Sequence, residues 1–165
     1  MDLDVSIEDW ASGKWNDLVT SAAEAAASVV SELANPRLQV SFLFTSDEEV
    51  HALNKQWRDR DKPTNVLSFP MLTREDLLDL APDGPPVMLG DIALAFETCA
   101  GEAADKGITI EHHASHLIIH GLLHLAGYDH VNSDAEADKM ERLEIAALAI
   151  IGIADPYTDR DIPQA

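Results

Sequence analysis

Six of the chain's seven histidines lie between residues 112 and 130. His120 and His124 are four residues apart, so both imidazoles leave the same face of one helix and can bind one metal ion. Gly127 can end that helix with a positive φ, which turns the chain back and brings His130 toward the same ion. Three protein ligands leave a fourth coordination position open, as in catalytic zinc sites. The spacing therefore predicts a catalytic metal site.

The residue after the first histidine indicates which chemistry this site performs. A His-x₃-His pair alone also occurs by chance, but with Gly127 and His130 it reproduces the ligand spacing of the metzincin pattern H-E-x-x-H-x-x-G-x-x-H. That pattern has a glutamate as general base where this chain has Gly121, which has no side chain to accept a proton. A bound metal can still activate water or polarise an oxygen, so a phosphodiester is a better candidate substrate than a peptide.

The other polar residues near this motif have less specific patterns. His116 falls on the same helix face as His120 and is interpreted as a helix-surface residue or a neighbour that supports a ligand. Asp129 could orient a histidine or could be an ordinary turn residue, and either residue could relay protons. Ordinary structural roles are expected for the remaining histidines: His51, His112 and His113.

A second segment gathers positive charge. Four of the chain's eleven basic residues stand in eight positions: Lys55, Arg58, Arg60 and Lys62. Asp59 and Asp61 offset half of this charge, so charge alone favours a solvated loop with salt bridges. The functional alternative is an arginine at a helix end that binds a phosphate through both of its terminal nitrogens.

The chain as a whole is strongly acidic. Its 165 residues include 30 acidic and 11 basic ones, for a net charge of −19. Taken alone, this charge argues against a nucleic-acid partner, because it repels phosphate backbones at long range. Length and a 46% hydrophobic composition predict one globular domain over residues 1–165. One cysteine, no apolar leader and no apolar stretch of about 20 residues predict a cytoplasmic protein.

Hydrophobic periodicity predicts the elements that must position these residues. Helices are expected over residues 10–34, 46–57, 97–106, 109–126 and 133–151, and strands over 38–44, 65–69 and 87–96. Ser46, Thr109 and Ser133 are the expected caps, and Gly90 is expected at a bulge or a close approach. Residues 73–86 are interpreted as a surface excursion. About four strands and five helices predict a mixed α+β fold in which helices cover one sheet.

Together the two segments closely resemble the YbeY family, the bacterial endoribonucleases and rRNA maturation factors once called UPF0054. Residues 120–130 match its signature H-G-x-L-H-L-x-G-Y-D-H at every fixed position. Residues 54–70 match N-x-x-[YW]-R-x-x-D-x-P-T-[ND]-V-L-S-F-P. Residues 89–92 resemble the family's L-G-D-I strand and residues 155–157 its closing D-P-Y. The resemblance covers roughly residues 38–157.

The resemblance implies one zinc ion held by His120, His124 and His130, with Arg58 facing it in a cleft; His120 and Arg58 are the expected catalytic residues. It implies a single-strand-specific endoribonuclease that acts in 3′-end maturation of 16S rRNA, ribosome biogenesis and ribosome quality control. The expected partners are small-subunit rRNA, the small ribosomal subunit and its assembly proteins, and neither a membrane nor DNA is expected. Two alternatives stay open: a metal-dependent peptidase or amidase, and a non-catalytic assembly factor with structural zinc.

Overall fold

The computed structural model describes residues 1–61, 64–129 and 133–157. Its strands are β1 (Asp2–Ile7), β2 (Leu38–Thr45), β3 (Val66–Pro70) and β4 (Val87–Ala95). Its helices are α1 (Trp15–Val29), α2 (Asp47–Arg58), α3 (Arg74–Leu78), α4 (Phe96–Lys106), α5 (Ile110–Leu125) and α6 (Asp134–Ile150). A short 3₁₀ turn, Ser31–Ala34, follows α1. The predicted α+β class is confirmed, whereas the extent of one domain over residues 1–165 stays a prediction.

The four strands form one sheet in the order β1-β2-β4-β3. β1, β2 and β4 are parallel, and β3 runs antiparallel to β4 at the edge. Alternate residues of β2 are buried against the main core, as the sequence predicted: Leu38, Val40, Phe42 and Phe44. This face of the sheet packs against α1 and α5.

The opposite face of the sheet is covered by α2. Val50 of α2 forms a separate buried cluster with Leu67 of β3 and with Ala93 and Ala95 of β4. These β4 residues alternate with Ile92 and Leu94, which belong to the main core. Edge strand β3 therefore lies between α5 on one face and α2 on the other, and this arrangement brings the ends of both helices to the same edge.

Gly90 stands where the register between β2 and β4 shifts. Gln39 pairs with Met88 but Val40 pairs with Gly90, so one extra residue of β4 bulges between them. A Cβ atom on Gly90 would lie 2.4 Å from the carbonyl oxygen of Phe69. Both features confirm the prediction of a bulge or close approach at this glycine.

Three parts of the fold differ from the sequence expectation. β1 was not among the strands identified, although Leu3 and Val5 alternate with exposed polar residues and pack against the core. α1 begins at Trp15 instead of residue 10, because Trp10 is itself buried in the preceding loop with its ring 4.9 Å from that of Trp15. Helix α3 lies within the expected surface excursion and is capped by Thr73.

Cys99, the chain's only cysteine, is buried in α4. Its thiol donates to the backbone oxygen of Asn65 at 3.6 Å, and burial raises its pKa well above the ordinary range. Of the helices in the described parts of the chain, none has the length and apolarity needed to cross a membrane.

Candidate metal centre and its cleft

Helix α5 carries the candidate ligands, and both of its ends follow the predicted signals. Thr109 accepts a hydrogen bond from the backbone N–H of His112 at 3.1 Å, as an N-cap does. Gly127 adopts a φ of +98°, which ends the helix and turns the chain. A Cβ atom on Gly127 would lie only 2.7 Å from the Cβ of Arg74, so this position requires glycine for space as well as for conformation.

His120 and His124 are arranged as two ligands of one ion. Their Nε2 atoms lie 3.1 Å apart. Two nitrogens bound to the same tetrahedral ion at about 2.0–2.1 Å lie roughly 3.3 Å from each other, so the observed separation fits a shared metal. His120 Nδ1 lies 3.2 Å from Oε2 of Glu144, and His124 Nδ1 lies 3.0 Å from the backbone oxygen of Tyr128. A proton on each Nδ1 makes each Nε2 the metal-binding nitrogen.

The third predicted ligand, His130, lies outside the described residues, which stop at 129 and resume at 133. Within the described ranges, no three histidine, cysteine, aspartate or glutamate side chains cluster as a metal site. The ligand set of His120, His124 and His130 therefore stays a prediction, of which two members have the required geometry.

Glu144 of α6 is the main site residue that sequence reasoning missed. Its side chain is 1% exposed, and its Oε1 lies 2.5 Å from Nε2 of His116 and accepts a hydrogen bond from the Tyr157 hydroxyl at 2.6 Å. Its Oε2 lies 3.2 Å from Nδ1 of His120. Burial by itself raises the pKa of this carboxyl, but hydrogen bonds from His116 and His120 outweigh it and lower the pKa to about 2. The carboxylate is therefore ionised at neutral pH.

His116 is a buried member of this network and not a helix-surface residue. The whole residue is 7% exposed, and its ring touches Glu144 instead of the candidate metal position. Of the two interpretations left open for it, support of a ligand fits this contact and surface exposure does not. Asp129 lies half-buried on the wall of the adjacent cleft, and its role stays a prediction.

Two of the remaining histidines, His113 and His51, have ordinary partners. His113 is buried and its Nε2 lies 2.8 Å from Oε1 of Glu102, which also accepts a hydrogen bond from the side-chain amide of Asn65 at 2.9 Å. His51 pairs with Asp61 at 2.7 Å on the surface. In the described part of the chain, neither histidine forms a hydrogen bond with His120 or His124.

A cleft of about 570 Å³ runs beside edge strand β3 and joins the two predicted motifs. His120 and His124 line this cleft together with Arg58 and Arg60. Arg58 is the last residue of α2, and its guanidinium donates to the backbone oxygen of Ser68 at 3.5 Å. The helix ends there because Asp59 adopts a left-handed conformation with φ of 54°. The structure thus brings Arg58 to the histidine motif; Lys62 lies outside the described residues.

The aspartates of the basic segment do not neutralise these arginines through ion pairs. Asp61 instead pairs with His51, and this hydrogen bond together with nearby Lys55 lowers the pKa of Asp61. Among the residues that the structure describes, neither Arg58 nor Arg60 takes part in an ion pair. Both arginines line the cleft, which fits the functional alternative of phosphate binding better than a salt-bridged loop.

Arg74 fixes the end of α5 and was not predicted. Its guanidinium donates to the backbone oxygen of Ala126 at 2.7 Å, pairs with Glu32 at 2.9 Å, and lies 4.6 Å from the ring centre of Tyr128. A cation at the carboxyl end of a helix is favourable, because the last carbonyls carry partial negative charge. No local sequence signal identified this residue, since its partners are distant in the chain.

Gly121 packs directly on the sheet. A Cβ atom there would lie 3.0 Å from Cδ1 of Ile92, so the helix approaches β4 closely at this point. The position that supplies the base in metzincins is thus a tight backbone contact here. The chain provides no carboxylate base from this position.

A sequence model described as Endoribonuclease YbeY matches residues 4–152. Curated proteins of the same description are similar to the chain: one from Erythrobacter litoralis is 64% identical over 97% of the chain and 99% of its own length. Another from Novosphingobium aromaticivorans is 61% identical over 89% of each. The chain belongs to the YbeY family of endoribonucleases.

Family membership confirms the resemblance drawn from the two motifs and identifies the chain as a hydrolase that cleaves RNA. Nucleases of this family depend on a metal ion, and the paired Nε2 atoms of His120 and His124 fit that requirement. The fold agrees as well. The solution structure of TM1509 from Thermotoga maritima aligns with a TM-score of 0.57 and 25% identity over 99% of both chains.

Proposed function

We propose that this chain is a zinc-dependent, single-strand-specific endoribonuclease that acts in 3′-end maturation of 16S rRNA, in ribosome biogenesis and in ribosome quality control. The observation that carries the proposal is one cleft lined by Arg58 and by His120 and His124, whose Nε2 atoms lie 3.1 Å apart. The proposed location is the cytoplasm. The proposed partners are small-subunit rRNA, the small ribosomal subunit and its assembly proteins.

The proposed zinc ligands are His120, His124 and His130. Imidazole nitrogens suit zinc, and the hydrogen bonds on Nδ1 of His120 and His124 fix both rings for binding through Nε2. When bound, zinc supplies Lewis-acid polarisation of a phosphoryl oxygen and activation of water. His120 has 22% of its side chain exposed, so the site opens to the cleft, which favours catalysis over a closed structural site.

Arg58 is proposed to bind the scissile phosphate. An arginine guanidinium can donate two parallel hydrogen bonds to phosphate oxygens. At the end of α2, Arg58 lines the same cleft as the histidines, where it neutralises charge that develops during cleavage. Arg60 lines the same cleft and adds attraction for the RNA backbone.

The net charge of −19 shapes how RNA binds. Because the acidic surface repels phosphates, contact with free RNA is confined to this cleft and is weak and salt-sensitive. Productive docking on the ribosome then relies on protein surfaces of the small subunit or its assembly factors. Tight, sequence-independent binding of free RNA would contradict this part of the proposal.

The test compares Arg58→Ala with Arg142→Ala, which removes an exposed arginine on α6 away from the cleft. Zinc content is measured by elemental analysis, and cleavage is measured on single-stranded and fully paired RNA. We expect both variants to retain zinc, and Arg58→Ala alone to lose cleavage of single-stranded RNA by about 100-fold or more. Full cleavage by Arg58→Ala would contradict its role.

Two other results would replace the proposal. Chelator-sensitive peptidase activity without RNA cleavage would favour a hydrolase of another class. Zinc that remains bound, with no cleavage by the wild-type protein on any RNA, would favour an assembly factor in which the metal is structural.

A further inference from the structure

The closing D-P-Y motif, residues 155–157, has no part in the function proposed so far. We propose that this motif positions the metal ligand His120, through the carboxylate of Glu144. Tyr157 and Glu144 are then positioning residues of the nuclease site, although neither lines the cleft. The inference rests on the proposed metal site, and it assigns a role to residues at the far end of the described chain.

The motif itself forms a turn that directs the tyrosine inward. The Asp155 carboxylate accepts a hydrogen bond from the backbone N–H of Tyr157 at 2.7 Å. Pro156, which lies between them, restricts the backbone. A hydrogen bond from a backbone N–H to an aspartate side chain two residues earlier closes a compact turn. The phenol ring meets the ring of His116 edge-on, with centres 5.4 Å apart and planes at 89°. The turn therefore delivers the Tyr157 hydroxyl to the interior.

There the hydroxyl fixes one oxygen of Glu144. Tyr157 donates to Oε1 at 2.6 Å, and Nε2 of His116 lies 2.5 Å from the same oxygen. The terminal torsion of a glutamate has broad, weak preferences, so the orientation of the carboxylate is set by its partners. With Oε1 held by two groups, Oε2 is directed at Nδ1 of His120, 3.2 Å away.

The contact with His120 links this network to the metal. A carboxylate bonded to the Nδ1 side of a ligating histidine fixes the ring and increases the basicity of the nitrogen that binds the ion. Asp155, Tyr157, Glu144 and His120 are linked in that order by three contacts, of 2.7, 2.6 and 3.2 Å. Loss of the phenol hydroxyl should therefore weaken zinc binding without removing any ligand.

A second histidine of α5, His113, also pairs with a glutamate of another helix, Glu102 of α4, and this pair provides a matched control. His113 and Glu102 make the same kind of contact at 2.8 Å, but neither touches His120, His124 or Tyr157 in the described structure. A merely structural role for Glu144 predicts that both pairs behave alike. A positioning role predicts that only the Glu144 pair alters the metal.

The experiment measures zinc affinity by competition with a chromophoric chelator for the wild type, Tyr157→Phe, Glu144→Gln and Glu102→Gln. We expect weakening of about 10–100-fold for Glu144→Gln, the range for loss of an outer partner of a metal ligand. For Tyr157→Phe, which keeps the ring, we expect about three- to tenfold. Glu102→Gln should stay within about twofold of wild type. When cobalt replaces zinc, the visible spectrum should differ from that of the wild type in Glu144→Gln and Tyr157→Phe but not in Glu102→Gln.

Circular dichroism and thermal unfolding check that each metal-free variant folds. If Glu144→Gln does not fold, the zinc affinity of Tyr157→Phe tests the inference by itself. Wild-type zinc affinity and an unchanged cobalt spectrum in Tyr157→Phe would overturn the inference. So would equal losses of affinity in Glu102→Gln and Glu144→Gln. If the wild type binds zinc but cleaves no RNA, the proposed function fails, while these affinities still test the positioning role.

Discussion

Two histidines of helix α5 pair with glutamates of other helices, and the two pairs have different surroundings: His113 pairs with Glu102 of α4, and His116 pairs with Glu144 of α6. In the first, His113 is buried but the side chain of Glu102 is 38% exposed, and its other partner is Asn65. In the second, the side chain of Glu144 is 1% exposed and also contacts His120 and Tyr157. The first pair lies near the start of α5, and the second lies one turn before the candidate ligands.

The difference shows what turns a buried polar pair into part of a site. Both pairs satisfy a histidine nitrogen inside the protein, which a buried polar group requires for stability. Only Glu144 has a second oxygen that reaches a metal-ligand candidate, His120. Each glutamate also accepts a hydrogen bond from a further segment, Glu144 from Tyr157 and Glu102 from Asn65. Removing each pair in turn separates the contribution to folding from the contribution to the metal.

The largest contrast is expected between His120→Ala and His113→Ala. His120→Ala removes a ligand, so we expect loss of bound zinc and a fall in RNA cleavage beyond the ~100-fold that an outer partner contributes. His113→Ala should keep zinc content and cleavage within about twofold once folding is verified. Elemental analysis and single-turnover cleavage measure both effects. Equal loss of zinc in the two variants would remove the distinction between the pairs.

The next largest contrast is expected in the free energy of unfolding, which should fall more when the carboxylate of Glu144 is removed than when that of Glu102 is removed. Glu144→Ala leaves His116, His120 and Tyr157 without their buried partner, and breaking such a buried pair costs about 3–5 kcal/mol. Glu102→Ala removes a partly exposed partner and should cost at most about 1 kcal/mol. Urea unfolding of the metal-free proteins gives both values. Similar costs would show that burial of the carboxylate does not decide its contribution.

Gly107 precedes α5 and Gly127 follows it, and substitutions at these two glycines compare the backbone at the two ends of the helix. Gly127→Ala places a Cβ 2.7 Å from Arg74 at a φ of +98°, so we expect a loss of about 2–3 kcal/mol. Gly107, which ends α4, has a φ of +68° and open space, so its alanine variant should lose about 1 kcal/mol. Gly127→Ala should also weaken zinc binding, because Tyr128 orients His124. Zinc binding weakened equally in Gly107→Ala would contradict this.

The smallest expected effect is a pH dependence of the free energy of unfolding that comes from the His113–Glu102 pair. Burial lowers the pKa of His113 below 6.5, reinforced by Lys106 and His116 and opposed by Glu102. The unfolded chain therefore takes up a proton first as pH falls, so stability is lost below about pH 6.5 and present above it. His113→Asn should flatten this slope in urea unfolding of the metal-free protein, and His112→Asn should not. Identical slopes in His113→Asn and wild type would refute the assignment.

Local signals allowed much of the fold and part of the site to be predicted. Ser46, Thr109 and Ser133 cap their helices as expected, because a cap bonds to a backbone N–H only three residues away. The pairing of His120 with His124 follows from helix periodicity in the same way. These features depend on residues that are close together in the sequence, so a local sequence pattern is enough to predict them.

The parts that could not be predicted depend on distant contacts. Glu144 reaches His120 only because α6 packs against α5, and Arg74 reaches Ala126 across 52 positions. β1 lacks a cap or turn signal, and its six residues become a strand by pairing with β2. The link between Arg58 and the histidines was implied by the family resemblance and not by spacing, since α3, β4 and α4 lie between the two motifs in the chain.

The burial of Cys99 makes the chain convenient for site-specific labelling. The thiol of Cys99, a residue of α4, is buried, and burial raises its pKa. Almost no Cys99 is therefore present as the reactive thiolate at neutral pH. Maleimide reagents should therefore leave the native protein unmodified. A cysteine introduced at an exposed position such as Arg60, on the wall of the cleft, becomes a unique attachment point for a fluorophore. Such a probe would report the arrival of RNA directly, without removing the natural cysteine first.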